Sequence, residues 1–227
     1  MKAKFGMIVV AGRGKIGGHV ASANRSGAYF RTKVTPVNPQ TPAQNEVRSR
    51  LGGLSQAWRG LTDAQRAGWT GLVSSFAKTD IFGDIRNPSG INLYQKLNNN
   101  LLTIGGSQIS EAPQPEDVFT SAILSASFQS GVGLGEIDTA GNIPLGVNVK
   151  ISATPPISQG RSFVKSEYRL IATPVGDGTP LLEIGPAYLA RFGTPPVGSK
   201  VFFKIVYVNN TTGQESTLQT IAVTVTA

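Results

Sequence analysis

The sequence predicts an α+β protein. A basic, glycine-rich extended segment comes first, then a short helical bundle, then an all-β sandwich of Ig or fibronectin type. Three observations carry this reading. All of the net charge of +8 falls in the first 50 residues, which hold nine basic side chains and one acid, Glu46. Apolar side chains recur at helical spacing over residues 41–105 and at period two beyond about residue 111. Twenty-seven glycines and 14 prolines cut the chain into short pieces suited to turns and strands.

Composition narrows the function classes. A chain of 227 residues is long enough for one large domain or two small ones with a real core. There is no cysteine, which excludes disulfides and thiolate metal sites, and the single histidine, His19, excludes histidine-cluster metal centres. Neither a cofactor nor a metal is expected. The apolar run Met7 to Ala11 is too short for a membrane span or a signal-peptide core, and Arg13 and Lys15 follow it at once. The expectation is a soluble chain with no cleavable export signal and no membrane partner.

Residues 1–40 are predicted to form two or three short strands joined by glycine turns, with Tyr29 and Arg31 on one side of a strand and Phe30 and Thr32 on the other. Their apolar pieces are too small for a separate core, so the segment needs a second surface to lie on. Prolines at 36, 39 and 42 then enforce an extended connector.

Residues 41–110 are predicted to be a helical hairpin or bundle. Thr41 caps the first helix and Pro42 suits its first turn. Val47, Leu51, Leu54, Trp58 and Leu61 make one apolar stripe. Thr62-Asp-Ala-Gln65 is a capping-box pattern that opens a second helix, with Trp69, Leu72, Val73 and Phe76 on one face. A third carries Ile91, Tyr94, Leu97, Leu101 and Ile104 and stops at Gly105-Gly106. Trp58 and Trp69 are expected to meet across the hairpin.

Glu111 to Asp117 reads as a linker, and residues 111–227 as the sandwich. The strands expected there are 118–128, 147–153, 163–172, 181–184, 200–208 and 217–226, with Asn209 to Gly213 as a hairpin turn. The absence of a Cys–Trp–Cys spacing argues against an antibody-type domain.

No catalytic constellation emerges. Gly12-Arg-Gly-Lys-Ile-Gly-Gly lacks the spacing of a phosphate loop and precedes no helix, so a close-packed glycine turn accounts for it better. His19 has no cysteine or carboxylate near it in sequence to complete a catalytic constellation. Asp80, Asp84, Glu116 and Asp117 are sparse acids at loop positions, suited to caps and turns rather than to a metal or glycosidase pair. Asn24-Arg-Ser and Asn209-Asn-Thr match glycosylation acceptors but carry no weight without a secretory signal. The expected functional residues are the partner-binding set of the arm: Lys2, Lys4, Arg13, Lys15, Arg25, Tyr29, Phe30, Arg31 and Lys33. They suit either protein carboxylates at an interface or nucleic-acid phosphates with aromatic stacking.

The runs Arg13-Gly-Lys-Ile-Gly-Gly-His-Val, Gly27-Ala-Tyr-Phe-Arg, Pro36-Val-Asn-Pro-Gln-Thr-Pro-Ala-Gln and Trp58-Arg-Gly-Leu-Thr-Asp-Ala-Gln-Arg-Ala-Gly-Trp69 form a recognisable ensemble. Ser89-Gly-Ile-Asn-Leu-Tyr and Asn98-Asn-Asn-Leu-Leu continue it. The ensemble resembles an uncharacterised family of bacteria and their tailed phages, often encoded among virion structural genes. That resemblance implies no catalytic residues. It implies a virion protein, either a capsid decoration or cement protein or a minor head or tail protein. Its partners would be other virion proteins and copies of itself, with Phe5, Met7, Ile8, Val9, Tyr29 and Phe30 buried against a neighbour. A nucleic-acid-binding protein that uses the same arm is the alternative.

Overall fold

The computed structural model describes residues 2–3, 12–130 and 133–227. Lys4, Phe5, Met7, Ile8 and Val9, assigned above to partner contacts, lie outside the described residues. Among the described residues are four α-helices and four antiparallel sheets, an α+β chain. It divides into two compact units, Met1–Ser49 with Ala77–Asn87, and Arg50–Phe76 with Pro88–Ala227. These units cut across the boundaries expected at residues 40 and 110.

The first unit is built on strands β1 (Lys2–Ala3), β2 (Gly14–Ile16), β3 (His19–Asn24) and β4 (Gly27–Thr32), in the spatial order β1-β4-β3-β2. Gly17 and Gly18 make the two-residue turn between β2 and β3, and Gly17 takes a φ of 55° that favours glycine. The glycine run is therefore a hairpin turn. Ser26 donates its backbone N–H to Asn24 Oδ1, which shapes the next turn. Helix α1 (Pro42–Gly60) begins in this unit, where Thr41 Oγ1 accepts from the Gln44 N–H. A small hairpin, β5 (Lys78–Thr79) with β6 (Ile85–Arg86), completes it. Asp80 organises that hairpin: its Oδ1 accepts the N–H groups of Phe82 and Asp84, while Arg86 bonds both Asp80 and Asp84. The two aspartates thus serve as turn and ion-pair groups.

The second unit holds the rest of α1, α2 (Asp63–Gly71), one turn of 3-10 helix (Val73–Phe76) and α3 (Gly90–Thr103). The capping box of α2 forms as its sequence predicts, with Thr62 Oγ1 accepting from the Gln65 N–H and Gln65 Oε1 accepting from the Thr62 N–H. Leu54, Leu61, Trp69, Leu93, Tyr94 and Leu97 form the core of the helical layer. Trp58 and Trp69 do not meet each other there. Each packs on Tyr94 of α3, whose ring centroid lies 5.4 Å from that of Trp58 and 5.2 Å from that of Trp69. Trp69 Nε1 donates to the Ser110 carbonyl, and Asn98, fully buried, exchanges hydrogen bonds with the Ile109 backbone. Burial without these partners would cost several kcal/mol. The apolar stripe of α1 is covered only from Leu54 onward; Val47 and Leu51 are exposed.

Two further sheets share one core. Strands β7 (Ile123–Phe128), β8 (Gly135–Thr139) and β11 (Leu181–Glu183) form a three-stranded sheet, order β11-β8-β7. Strands β9 (Val147–Ala153), β10 (Arg169–Ala172), β12 (Lys200–Asn209) and β13 (Gln219–Thr224) form a four-stranded one, order β10-β9-β12-β13. Phe128, Ile137 and Leu182 from the first pack with Val149, Ile151, Phe203, Ile205, Tyr207 and Val223 from the second. Helix α4 (Gly185–Phe192) adds Tyr188, whose ring contacts Phe128 and Phe203 and whose hydroxyl donates to the Thr154 carbonyl. Period-two alternation puts those residues inward, while Lys200, Phe202 and Lys204 of β12 point out.

The stretch expected to be a linker is tied down. Gln214 Oε1 accepts from the Glu116 N–H and its Nε2 donates to the Gln114 carbonyl. Asn100 of α3 donates to the Gly213 carbonyl at 2.9 Å, in the turn between β12 and β13. Helices and sheets are therefore one compact unit.

Candidate interaction surfaces

The register of the N-terminal sheet decides which arm residues act together. Lys15, Val20 and Arg31 stand opposite one another across β2, β3 and β4, and Ser22 stands opposite Tyr29 two positions along. Directly paired residues share a face, so Lys15, Tyr29 and Arg31 are on one side. Arg13 and Lys33 lie immediately beyond β2 and β4, in step with Lys15 and Arg31. Lys2 pairs with Tyr29 through the β1 backbone. Phe30 is on the opposite side with Ala21, Ile16 and His19. Arg25 occupies the exposed β3–β4 turn.

This face is electrostatically uncompensated. Arg13, Lys15, Arg25, Arg31 and Lys33 are all exposed, and none forms an ion pair with a carboxylate among the described residues. Residues 1–49 and 77–87 together hold ten basic and three acidic side chains, a net +7, against +1 for the remainder. Two of those three acids, Asp80 and Asp84, are already bonded to Arg86. Charge of one sign concentrated on a surface raises the local concentration of counter-ions there.

The same unit shows something the sequence concealed. Ala21 is its one buried apolar residue among those described, while Val34, Val37, Val47, Ile81 and Ile85 are exposed. Of these five, only Val47 stands in an apolar stripe expected to be buried, and all five are left exposed.

The other candidates resolve into structural roles. His19 is exposed on β3, and among the described residues no group of three His, Cys, Asp or Glu side chains is placed to hold a metal. Glu116, Asp117 and Glu215 line a polar cleft of about 470 Å³ with Lys96 and Ser75. Glu215 there is engaged by Lys150 Nζ at 2.6 Å, and Glu116 accepts from Asn209. Burial raises the phenol pKa of Tyr188 well above its ordinary value, and raises those of Tyr207 and Tyr94 too, with the Gln108 hydrogen bond opposing the shift at Tyr94. These are core tyrosines held protonated. No helix among the described residues is long and apolar enough to cross a membrane. No family model, curated protein or solved structure matches the chain.

Proposed function

We propose that the chain is a non-enzymatic structural component of a bacteriophage virion, a capsid decoration or cement protein or a minor head or tail protein, anchored to other virion proteins through its basic N-terminal arm. The observation that carries this is the state of the first unit. Among its described residues only Ala21 is a buried apolar side chain, while Val34, Val37, Val47, Ile81 and Ile85 are exposed in the same unit as five cations that form no ion pair. Covering Val34, Val37, Val47, Ile81 and Ile85 against a neighbour stabilises by roughly 25 cal/mol per Å² of apolar area, which offsets the entropy of ordering the segment. The sequence ensemble from Arg13 to Trp69 supports the virion assignment, since it resembles a family encoded among virion genes.

The β part of the second unit supports an Ig- or fibronectin-like sandwich. Its first, second and fifth strands make one sheet, and its fourth, third, sixth and seventh make the other, in that order, over a common core. Such a domain would project from the particle or pack between subunits, while the arm anchors it.

The nucleic-acid reading has one observation in its favour, the shared face of Lys15, Tyr29 and Arg31. Exposed aliphatic residues do not stack on bases or pair with phosphates, and they favour a protein partner. Deleting residues 1–35 from the phage-encoded gene provides the test. The proposal expects the truncated protein to remain folded by circular dichroism and to be missing from purified particles by mass spectrometry. Normal incorporation of the truncated chain would overturn it. Loss of polynucleotide binding with a steep salt slope, with incorporation intact, would put nucleic acid in its place.

A further inference from the structure

The outer face of the four-stranded sheet carries a groove of about 470 Å³, between the strand pair β12–β13 and the loop 162–168. Its floor is apolar: Phe202 and Val164 are 6% and 5% exposed and pack with Ile157 and Tyr168. At its mouth Phe163 and Leu218 are 71% and 53% exposed, large side chains left facing water. Single exposed apolar residues are ordinary, but two flanking an apolar groove mark a recognition surface.

The charge around it is one-sided. Lys165 and Lys204 line the groove, and no carboxylate does. Neither ammonium has a hydrogen-bond or ion-pair partner among the described residues; Lys204 Nζ stands 6.0 Å from the centroid of the Tyr168 ring. The Tyr168 hydroxyl likewise makes no hydrogen bond among the described residues, and its phenol stays protonated because burial raises its pKa. The nearest acid in sequence, Glu167, is taken by Arg161 at 2.7 Å. Three donors without acceptors therefore surround an apolar floor, in a unit whose overall charge is close to neutral.

We propose that this groove binds an acidic polypeptide segment, with a large apolar side chain seated on Phe202 and Val164 and carboxylates meeting Lys165 and Lys204. The chemistry selects this occupant. A phosphate backbone would use the two cations but leave Phe163 and Leu218 wet. An uncharged apolar chain would bury the groove but strand two ammonium groups, which costs more than leaving them hydrated. A segment that combines both features satisfies every group present. The site is separate from the cationic arm and does not depend on how the arm is used.

The test uses the full chain and fluorescence anisotropy with three labelled probes: a glutamate-rich decapeptide with one central phenylalanine, the same peptide with serine at that position, and single-stranded oligothymidine. The cations of the arm set a background common to all variants. Expected above that background is binding of the phenylalanine peptide, weakened about tenfold in the double variant Lys165→Gln/Lys204→Gln and about as much for the serine peptide. Leu218→Ser, at the exposed rim, is expected to weaken it as well without altering the thermal melt. Equal binding of both peptides, binding unchanged in the double variant, or no binding above background would overturn the proposal. So would oligothymidine binding lost in the double variant, which would make the groove a nucleic-acid site.

Discussion

Gly213 is the residue on which the helical layer and the β12–β13 turn depend together. Its φ is +70°, and a Cβ there would stand 2.3 Å from the Leu97 carbonyl oxygen. Gly213→Ala is therefore expected to cost about 2–4 kcal/mol, from left-handed strain and from backbone that cannot withdraw. Gly198 shares the positive φ, at +81°, but has open space around it. Gly198→Ala should cost only about 1 kcal/mol, and paired urea melts give the comparison. At the same scale, Tyr188 makes the fold sensitive to alkali. A phenol whose folded pKa is raised contributes stability that is fully present below the ordinary value of about 10 and is lost as pH rises through the folded value. The melting temperature should therefore fall steadily above about pH 10. Tyr188→Phe should flatten that limb, while losing about 1 kcal/mol at neutral pH with the Thr154 hydrogen bond.

Among the elements, α1 shows where periodicity stops being informative. Val47, Leu51, Leu54 and Trp58 are one stripe in sequence, yet Leu54 is 1% exposed and Val47 is 59% exposed. Leu54→Ala should destabilise by about 2–5 kcal/mol, and Val47→Gln by no more than about 0.5 kcal/mol, since one loses core packing and the other only changes a surface residue. Elements with strong local codes were legible: the Thr62–Gln65 capping box, β9 with its alternation of apolar and polar residues, and β12 with its long apolar run. Others were not. Helix α4 has eight residues and no side-chain cap, and β8 has one large apolar residue, Ile137, among acids. The strand expected over 163–172 shrinks to Arg169–Ala172 because Val164 and Tyr168 are drawn over Phe202 instead. The cations of the arm were legible because charge needs no fold to be counted. Their common face was not, because it rests on the pairing of Lys15 with Val20 and of Val20 with Arg31. The apolar groove was beyond reach for the same reason, being assembled from a loop and two strands distant in sequence.

At the level of the whole molecule, the change from helical to period-two patterning suggests that residues 112–227 would fold alone, and the contacts point the other way. Asn100 reaches the Gly213 carbonyl, Lys150 of β9 bonds Asn100 as well as Glu215, and Gln214 clasps the backbone at Gln114 and Glu116. Leu97 and Leu101 of α3 pack directly against Gly213. Removing the helices would strip these partners from a turn that is buried at Thr212, Gly213 and Gln214. Buried polar groups left without partners are among the costlier losses a fold can suffer. The second unit is therefore expected to unfold in one transition. Trp58 and Trp69 both sit in the helical layer, so tryptophan fluorescence follows the helices while the far-ultraviolet β-sheet signal follows the two sheets. Coincident urea midpoints from the two probes are the expected result. A fluorescence transition that precedes the sheet signal would show that the helices and the sheets are held together only loosely.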